Sequence, residues 1–139
     1  MGDTNKQKHL EFIQGAINRM ASNLFLLKGW TITLIAGLFA LSAKDAKVTY
    51  FVIAYFPAFV FWALDGYFLM QERRFRSLYD HVRQLPETQI DFSMDTEPFK
   101  KLPRNTYTAA LMSQTLKAYY GSLIVVLAIV MAAILLETT

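Results

Sequence analysis

Cysteine is absent from this 139-residue sequence, and histidine occurs only at His9 and His81. Disulfides and thiolate metal centres are therefore excluded, and two isolated histidines supply no paired ligand set, so neither a metal nor a cofactor is expected. Charge is scarce: 18% of residues are charged against 54% hydrophobic, a balance that soluble domains of this length do not normally carry. No glycine-rich phosphate loop and no Ser/His/Asp set occurs, so no catalytic residue is assigned. The opening MGDTNKQKHLEFIQG is too polar for a signal peptide and has no small-residue cleavage site behind an apolar core. The chain is expected to be inserted in a membrane and uncleaved.

What the sequence does contain is three apolar runs. Residues 23–43 hold one charge, Lys28, at their start; residues 48–70 are interrupted only by Asp65; residues 118–136 are uncharged. Each approaches the roughly 20 apolar residues that cross a bilayer, and Lys28 can snorkel toward the interface. The expected fold is an all-α integral membrane protein of one domain, residues 1–139. It comprises an N-terminal interfacial helix within 1–22, a two-span hairpin (23–43 and 48–70), a cytoplasmic segment 71–117 and a third span 118–136.

Charge placement orients it. Lys6, Lys8, Arg19 and Lys28 precede or enter the first span, and Arg73, Arg74, Arg76, Arg83, Lys100, Lys101 and Arg104 follow the second. Basic short segments remain cytoplasmic. This predicts a multi-pass membrane protein with the N-terminus inside and the C-terminal Glu137-Thr138-Thr139 outside.

Local patterns refine the layout. Leu10, Ile13, Ile17, Met20, Leu24 and Leu27 form one helical stripe, predicting an amphipathic helix along the inner surface that bends or runs straight into the first span. Ala46 sits in a very short turn between the first two spans, and Pro57 is placed to kink the second. Nothing breaks the helix between Met70 and Pro86, so the second span should project about 20 Å into the cytoplasm. Pro86, Pro98 and Pro103 together with Glu87, Asp91, Asp95 and Glu97 indicate a loop. Residues 105–117 read as a second amphipathic stretch.

Asp65 is the residue that needs explaining, because a carboxylate at membrane depth is costly. In an antiparallel hairpin with so short a turn, residues whose numbers sum to about 93 lie at equal depth, and Lys28 and Asp65 satisfy that condition. A structural ion pair fixing hairpin register is the first reading. A role lining a gate or aqueous vestibule is the second, and proton transport the third, although no relay of His or Glu accompanies the acid.

Beyond Asp65, ERRFRSLYDHVR carries Arg73, Arg74, Arg76 and Arg83. Pairs Glu72–Arg76 and Arg76–Asp80 at i,i+4 would brace an exposed helix. The arginines can anchor to lipid phosphates, or they can form a phosphate-binding face for a nucleotide or oligonucleotide, with Phe75, Tyr79 and His81 offering stacking surfaces. Arg76 and His81 also match the Arg-x4-His spacing of HEPN-type ribonucleases. That pattern is only two residues and recurs by chance, and a working site needs two copies at a dimer interface. In the spans, Gly29, Thr33, Gly37 and Leu41 recur at four-residue steps, which allows close helix approach. Ser122, Val125, Ile129 and Ala132 share one face of the third span, either a packing face or the wall of an apolar pore.

The layout of an inner-surface helix, a two-span hairpin and a second span running into an ERRFRSLYDHVR-type helix resembles small bacterial membrane effectors of anti-phage defence. The SLATT group, associated with SMODS nucleotidyltransferases and SLOG proteins, and the Hailong-type membrane effectors are the classes it is similar to. The resemblance covers residues 10–83, and the third span departs from a pure two-span plan. It implies an oligomeric ion channel, a tetramer or larger, that depolarises the infected cell. Control would come from a nucleotide or oligonucleotide made by a partner nucleotidyltransferase. A non-conducting membrane adaptor presenting its cytoplasmic surface to a partner protein is the alternative.

Overall fold

The computed structural model describes residues 4–42 and 47–139. Four α-helices and three 3-10 turns make up its regular structure, and no strand occurs among the described residues. Helix α1 runs unbroken from Thr4–Ser42 and α2 from Val48–Val82. A short α3 covers Tyr107–Leu111, and α4 covers Gln114–Glu137. Between α2 and α3 the chain makes 3-10 turns at Glu87–Gln89, Glu97–Phe99 and Pro103–Asn105. By length and composition α1, α2 and α4 can each cross a membrane. The expected turn around Ala46 lies outside the described residues.

Two apolar clusters hold the helices together. Ile35 of α1, Phe51, Ala54 and Ala58 of α2 and Leu127 of α4 form the first, with Leu38, Phe39, Leu123, Val130 and Ile134 packed around it. Alanines at 54 and 58 lie one helical turn apart, so the neighbouring helices can approach the α2 backbone closely. Helix α2 is continuous through Pro57.

Ile13 and Ile17 of α1 pack with Leu78 and Val82 of α2 in the second cluster, against Leu10, Phe75, Tyr79, Ile90 and Phe99. The predicted N-terminal stripe is therefore present, but its partner differs. Ile13 and Ile17 are buried against the far end of α2 and so do not present a free apolar stripe, because α1 is unbroken and α2 is long enough to meet it.

The connecting segment straps this end. The Glu87 carboxylate accepts from the backbone N–H groups of Asn5 (3.0 Å) and Lys6 (3.1 Å), filling orphan donors at the start of α1. The buried His9 donates from Nε2 to the Ser93 carbonyl at 2.8 Å. Phe92, which adopts a left-handed backbone at φ 56°, lays its ring against His9 and Phe12.

One expected element is divided. The stretch 105–117 breaks at Met112 and Ser113: the Thr106 hydroxyl caps α3 through Ala109 N–H, and the Ser113 hydroxyl caps α4 through Leu116 N–H. Each Ser/Thr satisfies a first-turn donor and starts a new helix direction. Asp80 also pairs differently from expectation, with Arg83 at 3.3 Å instead of Arg76.

Candidate functional site

Two polar constellations stand out, both built on α2. The first is buried where α1, α2 and α4 meet. Asp65 is fully buried, and its Oδ2 accepts from Lys28 Nζ at 2.7 Å and from the Tyr120 hydroxyl at 2.8 Å. Tyr120 also reaches the Phe61 carbonyl at 3.3 Å, and the neighbouring Tyr119 hydroxyl donates to the Lys28 carbonyl at 2.7 Å. The Lys28 ammonium sits 5.7 Å from the Tyr119 ring centre, within cation–π range.

Every one of these hydrogen bonds joins two different helices. Two donors converge on Oδ2, whereas the buried Oδ1 has no hydrogen-bond partner among the described residues. The carboxylate is thus fixed by one edge, an arrangement suited to locking helices together. Tyr119 and Tyr120 are the residues that sequence reasoning missed here. Two adjacent tyrosines at the start of an apolar run were the available signal.

The second constellation is a groove of about 430 Å³ between α2 and the Pro103–Asn105 turn. It is lined by Arg73, Arg76, Ser77, Asp80, Leu102, Pro103, Arg104 and Asn105. The turn is held in place from α2. Arg73 Nη1 donates to the Arg104 carbonyl at 2.9 Å and Arg74 Nε to the Asn105 carbonyl at 3.1 Å. The buried Asn105 side chain donates to Ser77 Oγ at 2.8 Å and to the Phe99 carbonyl at 2.9 Å. Arg76 forks onto Glu72 Oε1 at 2.7 and 3.1 Å. Burial, and after it the adjacent Arg104 charge, pull the Arg73 guanidinium below its ordinary value, with Glu72 opposing; it remains protonated at neutral pH.

The four arginines singled out in the sequence therefore separate. Arg73 and Arg76 line the groove, Arg74 serves the backbone of the turn, and Arg83 lies outside the groove in its pair with Asp80. Arg104 joins the first two, brought in from the loop by the Pro103–Asn105 turn. Arg76 and His81 line different grooves, the latter with its ring 5.7 Å from Phe99.

On α4 the inward face consists of Leu116, Tyr120 and Leu127 with Leu123, Val130 and Ile134. Ser122, Val125, Ile129 and Ala132 point away from it and are exposed. Among the described residues no cluster of His, Cys, Asp and Glu could hold a metal ion. No protein-family model, no curated protein and no solved structure matches this chain.

Proposed function

We propose that this protein is a membrane effector that assembles into an oligomeric pore, controlled at its cytoplasmic end by a nucleotide or oligonucleotide. The observation that carries the reading is the continuity of α2. One helix bears Asp65, which ties the three spans together, and Arg73 and Arg76, which line the groove beyond the apolar run. Force applied at the groove is delivered along a hydrogen-bonded rod to the packed spans.

Three spans do not enclose a channel, so conduction requires several copies, a tetramer or larger. Two outward faces support assembly. A Cβ added at Gly29 or Gly37 would meet nothing within 4 Å among the described residues, leaving that side of α1 open to a neighbouring helix. Ser122, Val125, Ile129 and Ala132 recur at three- and four-residue steps on an exposed face of α4, the spacing of an apolar seam that could gate by dewetting. In this arrangement the N-terminus and residues 71–117 face the cytoplasm, the C-terminus lies outside the inner membrane, and opening depolarises the cell. The regulator would be the product of a partner nucleotidyltransferase.

Planar-bilayer recording of the purified protein, together with the mass of its detergent-solubilised particle, tests the reading. Stepwise conductance from a multimer is expected, and Arg76→Glu should abolish the response to regulator without affecting insertion. A silent monomer overturns it. The adaptor reading is favoured by the exposed acids Asp91, Asp95 and Glu97 on the strap; it expects a silent particle that co-purifies with a defined protein.

A further inference from the structure

We propose that the groove between α2 and the Pro103–Asn105 turn is a binding site for a phosphomonoester dianion, with Arg73 and Arg104 as its principal donors and Arg76 at its edge. This rests on the membrane-regulator reading above and names the ligand chemistry of that site.

The charges in the groove do not balance internally. Arg76 is matched by Glu72, and Asp80 by Arg83. Arg73 and Arg104 face the same space, and among the described residues neither is in ion-pair contact with a carboxylate. Two uncompensated guanidiniums across one concavity repel each other, and a ligand carrying two negative charges relieves that repulsion. A phosphomonoester carries close to two at neutral pH.

Donor geometry agrees with charge. Arg73 spends one N–H on the Arg104 carbonyl, leaving the rest of its planar fork for oxygen acceptors, the arrangement in which arginine surpasses lysine. Arg104 is exposed, and no hydrogen bond engages its guanidinium among the described residues. The groove volume of about 430 Å³ falls in the range that holds a small molecule and not only an ion.

Position restricts the source. Arg73 follows Met70, the last apolar residue of the span, by three residues, or about 5 Å along the helix. That is headgroup depth, where a lipid phosphomonoester and a soluble one from the cytoplasm can both arrive.

The test uses the full chain in phosphatidylcholine nanodiscs. In one arm glycerol 3-phosphate is titrated and binding is followed calorimetrically; in the other, phosphatidic acid is mixed into the nanodiscs and its retention by the protein is measured by native mass spectrometry. Saturable binding in the first arm identifies a soluble ligand, and selective retention in the second identifies a lipid; either supports the site. Arg104→Ala, whose side chain is outside both apolar clusters, should weaken the binding found by about tenfold or more. Arg73→Lys should do so as well, since it keeps the charge and loses the fork. Arg19→Ala, on the exposed side of α1, should leave affinity unchanged. Absence of binding in both arms, or equal affinity in Arg104→Ala, overturns the proposal. Because none of these readouts involves conductance, binding by a non-conducting protein would sink the pore reading and retain the site, and conduction without binding would do the reverse.

Discussion

The Tyr120 hydroxyl donates at 2.8 Å to the same Asp65 oxygen that accepts from Lys28 at 2.7 Å. Asp65 therefore unites three helices through a single atom. A charge in an apolar setting persists only when it is paired and hydrogen-bonded, so removing either donor has consequences of different size.

Lys28→Met is expected to cost about 3–5 kcal/mol, because the Asp65 carboxylate is left buried without its counter-charge. Tyr120→Phe should cost less, about 1–2 kcal/mol, the range of interhelical hydrogen bonds in apolar surroundings. The double variant Lys28→Met/Asp65→Leu should recover most of the first loss. Unfolding by SDS in mixed micelles, followed by circular dichroism, measures all three; equal losses for both single variants would contradict the pairing.

Asn105→Ala removes the side chain that joins the turn to Ser77 and Phe99. Two part-buried acceptors lose their donor, at an expected cost of about 1–3 kcal/mol. Amide hydrogen exchange should accelerate at 99–106 and leave the span amides as slow as before.

Glu87→Ala strips the first turn of α1 of its acceptor. A loss of about 1 kcal/mol is expected, typical of helix N-terminal capping. Faster exchange confined to the first turn of α1 and the Glu87–Gln89 turn would be the signature.

Gly66→Val tests how α3 docks. A Cβ at Gly66 would run into the Leu111 side chain and come within 3.5 Å of Tyr107. Displacing α3 breaks the bond from Trp62 Nε1 to the Leu111 carbonyl, 3.1 Å in the native arrangement. With Trp30 replaced by Phe so that only Trp62 reports, its emission should shift, whereas Gly15→Val, at a position with open space around it, should leave it unchanged.

Much of this organisation was legible in the sequence because it follows from local pattern. The three long apolar helices came from run length, and the contact between Lys28 and Asp65 from a short turn that makes depth a matter of counting. The buried positions Ile13 and Ile17 came from helical spacing. Tyr120 and Arg104 escaped for a shared physical reason: each reaches its site across the irregular segment that follows α2, where no periodicity carries register from one helix to the next.

By itself the sequence determined which segments are apolar enough to need a lipid or protein environment, and which single acid had to find a cation inside one of them. Tertiary structure alone decided the rest. It set α4 so that Tyr120 meets Asp65, folded the strap so that Glu87 caps α1, and turned Pro103–Asn105 so that Arg104 faces Arg73. Those contacts depend on the direction of the chain through a segment held by hydrogen bonds to distant residues, and such bonds leave no repeating mark on the residues that make them.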